Sequence, residues 1–201
     1  MSTKRNYQRE MEEVLHNAPK KPHVLLHACC APCSSAVLER LAEMAHITLF
    51  FYNPNIIPEA EYQYRLAELK RLLTQMPLPD IDLLEGNYEP DRFLAFAAAL
   101  ADLPERGTRC QLCIRLRLEE AVKAAKSLGA DYFATTLTVS PHKDAAFIND
   151  AGFALAEQYG LPWLPSDFKK KDGYKRSIAL SAQYELYRQN FCGCPFSKAQ
   201  S

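Results

Sequence analysis

The run His23-Val-Leu-Leu-His-Ala28 passes directly into Cys29-Cys30-Ala31-Pro32-Cys33-Ser34-Ser35. A short, continuous apolar run closed by a turn is the pattern of a strand buried on both faces, as in a parallel sheet. A parallel sheet needs crossovers, and the sequence supplies them. Further strands are expected over Ile47–Tyr52, Ile81–Leu84, Asp131–Leu137 and Leu161–Leu164. Helical spacing fills the gaps. Ser34 or Ser35 is expected to cap a first crossover helix carrying Val37, Leu38, Leu41, Ala42 and Ala45. Others are expected over Glu59–Met76, Pro90–Ala101, Cys110–Leu128, Lys143–Tyr159 and Ser177–Arg188, with Gly129 and Gly160 placed as stops. Strands alternating with helices give an α/β fold with right-handed crossovers.

At 201 residues, 48% of them hydrophobic, the chain supports one well-filled core. The expected architecture is a single Rossmann-like (HUP-like) domain over 23–201, with a parallel sheet flanked by helices and a C-terminal helical segment. Residues 1–22 read as a polar arm or helix. Lys+Arg and Asp+Glu are both 24, so net charge points to no class of partner. No stretch approaches the roughly 20 apolar residues of a membrane helix. The charged N-terminus lacks the apolar core of a secretion signal. A cytoplasmic location is therefore expected, where thiols stay reduced and structural disulfides are rare.

That makes the cysteines informative. All seven fall in three groups: Cys29, Cys30 and Cys33; Cys110 and Cys113; Cys192 and Cys194. Bystander cysteines behave as small hydrophobes and scatter through a core. Grouping at ligand-like spacing points to metal or redox chemistry instead. Cys110 and Cys113 share one side of a helix start, where the dipole favours thiolates. Cys29 and Cys30 serve one site only if the backbone there is irregular, because neighbours in a strand face opposite ways. Zinc and iron–sulfur centres both use four thiolates, so spacing alone leaves the metal open. A Cys192–Cys194 disulfide would be strained and easily reduced. In an open parallel sheet these groups belong at the carboxyl ends of the strands, beside Tyr52-Asn53 and Thr135-Thr136.

The blocks HACCAPCSS, YNPNIIPEAEYQYR, RCQLCIRLRLEEA, DYFATTLTVSPHK, DFKKKDGYKRSIALS and YRQNFCGCPFS occur in this order from Val24 to Ser197. Together they resemble the signature blocks of the QueH-type epoxyqueuosine reductases. The resemblance implies the last step of queuosine biosynthesis: removal of the epoxide oxygen from epoxyqueuosine at the tRNA wobble position. It implies a [4Fe-4S] cluster without cobalamin, held by Cys29, Cys30, Cys110 and Cys113. It also implies a redox-active pair, Cys192 and Cys194, and an external electron donor. Cys33 stands between two roles, ligand to an additional metal ion or plain neighbour. Epoxide to alkene takes two electrons and two protons. A dithiol can hold the second reducing equivalent, or an exposed iron can polarise the epoxide oxygen. Tyr52, His142, Asp167 and Tyr174 sit in matching blocks as candidate proton donors.

For tRNA, Lys143, Lys169, Lys170, Lys171, Lys175 and Arg176 form a basic run around Phe168 and Tyr174, which offer stacking faces. Arg65, Arg109 and Arg115 would extend it. The turns at Asn53-Pro54-Asn55 and Ser140-Pro141 would shape the pocket. Two other readings compete. A non-catalytic zinc module would use the same four cysteines. An ATP-dependent tRNA sulfur-transfer enzyme would need a glycine-rich turn after the first strand, and CCAPCSS contains no glycine.

Overall fold

The computed structural model describes residues 5–79 and 81–197. Four strands, β1 (His23–His27), β2 (His46–Phe51), β3 (Asp82–Glu85) and β4 (Tyr132–Thr135), form one sheet in the order β3-β2-β1-β4. Every pairing is parallel, with Leu25 opposite Thr48 on one side and Phe133 on the other. The helices are α1 (Tyr7–His16), α2 (Ala31–Leu41), α3 (Glu59–Gln75), α4 (Pro90–Ala97), α5 (Thr108–Ser127), α6 (Ala145–Tyr159) and α7 (Gly173–Gln183).

The period-2 alternation of the strands decides which helix each residue meets. Val24, Leu26 and Ala28 join Ile47, Leu49 and Phe51 under α2 and α3, and Met11 and Leu15 of α1 complete that layer. Leu25, Phe50, Tyr52 and Phe133 face the opposite way, onto Leu118, Ala121, Val122 and Ala125 of α5 and Ile148 and Leu155 of α6. The centre of the sheet is thus covered on both sides, which is why the middle of β1, Val24-Leu25-Leu26, is apolar without alternation.

Several details differ from expectation, among them β4, which ends at Thr135 rather than Leu137, and α4, which ends at Ala97 rather than Ala101. The stretch 161–164 makes only a single bridge, Phe133 to Trp163, rather than a full strand. Pro162 and Pro165 explain this, since proline cannot donate to a ladder. Helix α2 begins at Ala31, with Cys30 at the cap position and Pro32 in the first turn. Ser34 and Ser35 therefore lie inside the helix, their hydroxyls donating back to the Cys30 and Pro32 carbonyls at 2.9 Å. Helix α7 starts four residues earlier than the apolar spacing suggests and ends at Gln183, before Glu185 at φ 50°.

Gly152 shows how tightly α6 sits on the sheet. A Cβ there would stand 2.3 Å from Trp163 Cδ2. Helix propensity alone favours Gly152→Ala by about 1 kcal/mol, whereas overpacking costs about 1–3 kcal/mol. The expected result is net destabilisation, with a melting temperature lower by about 2–4 °C per kcal/mol lost. A melting temperature above that of the parent would show that Trp163 yields freely.

Candidate thiol-lined active site

Parallel strands deliver their following turns to one edge, and the site is built there. A cavity of about 480 Å³ opens at this edge, and all seven cysteines line it. Cys29 and Cys30 occupy the turn between β1 and α2, where the backbone has left the strand pattern, so both thiols can face inward. Their sulfurs are 3.8 Å apart. Adding Cys33, the three sulfurs lie within 4.8 Å of one another. Cys110 and Cys113 enter from the first turns of α5, while Cys192 and Cys194 enter from the chain after α7.

The cysteine-bearing turn is held from below. The His27 ring, fully buried, bridges β1 to its neighbours: Nε2 meets the Tyr52 carbonyl at 3.0 Å and Nδ1 meets Thr135 Oγ1 at 2.9 Å. A carbonyl only accepts, so Nε2 carries the proton and Nδ1 accepts from the threonine. Burial, reinforced by the nearby Arg117 charge, lowers the His27 pKa to about 4 and keeps the ring neutral. The Thr136 hydroxyl accepts from the Cys29 amide at 3.3 Å and donates to its sulfur at 3.6 Å.

Cys192-Gly193-Cys194 docks against the loop after β2. The Ile57 amide donates to the Gly193 carbonyl at 3.0 Å, and Asn55 Nδ2 donates to the Cys192 carbonyl at 3.2 Å. Gly193 has φ 94°, and a Cβ there would lie 2.8 Å from Ile56 Cγ1. Only glycine fits this close, left-handed turn.

The thiols are not equivalent. Hydrogen bonds from Cys30 and Cys33 hold Cys29 well below the ordinary thiol range. In return Cys30 is pushed up to about 12, chiefly by Cys29, and Cys33 is raised well above its usual value by the same neighbour. Cys194 donates to Cys192, which holds Cys192 low, with help from Lys143, and raises Cys194. Burial raises Cys113. The groups of Cys29 and Cys192 thus each contain a stabilised thiolate beside protonated partners, the donor chemistry that a thiophilic metal requires. Cys29, Cys30 and Cys33 are close enough to hold a metal ion together, and Cys110 and Cys113 line the same cavity.

The remaining expected site residues divide. Asn53, Ser140, His142, Lys143, Tyr174, Arg65 and Arg109 line the cavity. Tyr52 does not, because its hydroxyl donates to Glu89 at 2.9 Å and accepts from Arg92 at 3.0 Å. Asp167 pairs with Lys169 at 2.7 Å, Lys171 with Glu12 at 2.6 Å and Arg176 with Glu39 at 2.6 Å. Phe168 is buried in the core layer under α2. Arg115 lies over the Phe147 ring, and Lys170 belongs to the exposed loop before α7. Arg117 was not anticipated, although its position one helical turn after Cys113 places it on the same face of α5.

The family described as Epoxyqueuosine reductase QueH matches residues 24–200. This chain belongs to that family. The protein of that name from Streptococcus pyogenes serotype M1 is 39% identical over 198 residues, covering 96% of this chain and 78% of its own length. Its counterpart from Staphylococcus aureus is 40% identical over 185 residues, covering 90% and 77%. The one from Thermotoga maritima is 34% identical over 177 residues, covering 87% and 89%. Among solved structures, the NMN synthetase of Francisella tularensis aligns with 94% of this chain and all of its own at a TM-score of 0.39 and 11% identity. That likeness is too remote to speak to chemistry. Membership of QueH makes the chain an oxidoreductase, and no described helix is long and apolar enough to cross a membrane.

The thiol inequality is directly measurable. In reduced, metal-free protein near neutral pH, iodoacetamide is expected to label Cys192 before Cys194 and Cys29 before Cys30, read by timed peptide mass spectrometry. The opposite order would show that the hydrogen bonds run the other way.

Proposed function

We propose that this QueH protein reduces epoxyqueuosine to queuosine at the wobble position of tRNA, using a [4Fe-4S] cluster and the Cys192/Cys194 dithiol. The observation that carries this is the convergence of all seven cysteines on one cavity at the carboxyl edge of the sheet. Cys29, Cys30, Cys110 and Cys113 would hold the cluster, with Cys33 beside them as ligand to an additional metal ion or as a neighbour. Bound there, the cluster would supply one-electron transfer and Lewis acidity.

The protein's own groups account for the remaining atoms. Both carbon–oxygen bonds of the epoxide break, the carbons become an alkene, and the oxygen leaves as water. Oxidising the Cys192 and Cys194 thiols to a disulfide releases the required two electrons and two protons, so the step balances. An external donor must then reduce the disulfide. In support, both cysteines line the cavity from a single Cys-Gly-Cys turn. Of the candidate acids, His142 and Tyr174 line the cavity, which supports them as donors to the departing oxygen (His142 through Nε2, since Nδ1 pairs with Arg106), whereas Tyr52 and Asp167 are engaged elsewhere.

The reachable part of the cavity lining carries two cationic side chains, Lys143 and Arg188, against one carboxylate, Glu105. That balance favours a polyanionic substrate at the rim. Tyr174 and Ser177, in the first turns of α7, line the same opening next to the basic 169–172 loop, and Asn53 and Ser140 line it too. The ion pairs of Lys171 and Arg176 are largely exposed and cost little to exchange for phosphates.

Anaerobic protein is expected to carry about four irons and four sulfides per chain and to convert epoxyqueuosine-containing tRNA. Cys29→Ser or Cys110→Ser should lose visible absorption and turnover together. Cys194→Ser should retain iron and lose turnover. One zinc per chain with no iron after reconstitution, and no conversion, would instead establish a zinc-binding module.

A further inference from the structure

Three arginines with almost no exposed surface stand in the cavity wall: Arg65 at 2%, Arg109 at 1% and Arg117 at 5%. A guanidinium taken out of water must be compensated, or the fold bears a large desolvation cost. Arg65 meets this condition through Glu61, whose carboxylate is 2.7 Å away. The other two have no ion pair with a carboxylate among the described residues. Arg109 directs Nη1 at the carbonyls of Leu100, Ala101 and Leu103, at 2.6–2.8 Å, and lies over the Phe196 ring, while its Nε and Nη2 are buried without a hydrogen-bond partner. The Arg117 Nε donates to the Cys113 carbonyl at 3.2 Å, and its Nη1 to Asn53 Oδ1 at 3.4 Å. Both of those acceptors are neutral.

The two cations are not randomly placed. Arg109, Cys113 and Arg117 succeed one another at four-residue intervals on α5, which puts them on one helix face. Two uncompensated positive charges therefore bracket a buried thiol, in a cavity whose other notable content is six more thiols. Thiols bind metal as thiolates, so a centre with four of them is anionic. The missing negative charge and the surplus of sulfur answer one another.

Arg117 has a second connection. Asn53, which accepts from it, donates through Nδ2 to the Ala28 carbonyl at 2.9 Å, one residue before Cys29. A continuous path of hydrogen bonds thus runs from Cys113 through Arg117 and Asn53 to the Cys29–Cys30 turn. It links the two halves of the thiol set, which no strand pairing or disulfide joins directly.

We propose that Arg117 is the positioning residue and built-in counter-charge of the thiolate centre, fixing the α5 cysteines relative to the β1 cysteines and offsetting their negative charge. This rests on the reading of those cysteines as a metal site. Its effect is that of an outer-shell partner, whose loss typically costs about 10–100-fold in metal affinity.

The test compares Arg117→Met and Arg117→Lys with the parent protein, all prepared without oxygen. Metal affinity is read by chelator competition, the midpoint potential by redox titration, and folding by thermal melting of the reduced, metal-free form. Arg117→Met is expected to melt no lower than the parent when metal-free, because an uncompensated buried charge has gone. It is expected to release metal about 10–100-fold more readily, and its potential should move to more negative values, because a positive charge beside a redox centre favours the reduced state. Arg117→Lys retains the charge but not the planar fork, so its potential should stay near that of the parent while affinity falls partway. Parent-like affinity and potential in Arg117→Met would overturn the proposal. So would a metal-free Arg117→Met protein that melts far below the parent, since Arg117 would then be an ordinary structural contact. If the parent binds zinc and no iron, the reductase reading fails separately, and Arg117 is judged on zinc affinity alone: a tenfold or greater loss upholds it and no loss rejects it.

Discussion

Parallel pairing carries directional information that an antiparallel sheet would scramble. Because β1, β2 and β4 run the same way, the turns that follow them emerge side by side, and residues distant in sequence become neighbours without any dedicated contact. Cys29, Asn53 and Thr136 meet for this reason alone. His27 then secures the three strand ends to one another through Tyr52 and Thr135, and its burial keeps it neutral, so it adds no charge beneath the thiols. Were the ring protonated, it could no longer accept from Thr135, and a further uncompensated cation would stand in the core.

The thiol inequality follows from crowding. Three sulfurs within 4.8 Å cannot all ionise, because like charges disfavour one another at that range. One thiolate stabilised by two S–H donors is the compromise in the absence of metal. Cys192 and Cys194 repeat it with two members. A metal resolves the conflict differently, by replacing protons with a shared cation.

The grouping of cysteines, the α/β order and the placement of the turns could be read from the residues, because each depends on local pattern: apolar runs, helical spacing, glycine stops. What escaped depends on partners remote in sequence. Lys171 and Arg176 read as free cations until α1 and α2 supply Glu12 and Glu39. Tyr52 read as a pocket residue because it follows β2, but alternation turns its ring to the α5 side, where Glu89 and Arg92 hold its hydroxyl. Ser34 and Ser35 are good capping residues, yet proline is tolerated in a first turn and let α2 begin earlier. Arg117 looked like one more charge on a helix. Only its burial, and the lack of a carboxylate partner among the described residues, set it apart.

The docking of Cys192-Gly193-Cys194 on the β2–α3 loop joins positions far apart along the chain: Asn55 and Cys192 are separated by 137 residues. On a ribosome the first three cysteines emerge long before that closing segment exists. They must wait, unshielded on one side, while strands β2 to β4 and helices α3 to α7 are made. Loop closure over such a separation is slow relative to local folding. Until that segment docks, the thiols of the β1–α2 turn lack one wall of their cavity and stand open both to whatever delivers metal and to oxidants. How fast the last segment arrives governs which reaches them first.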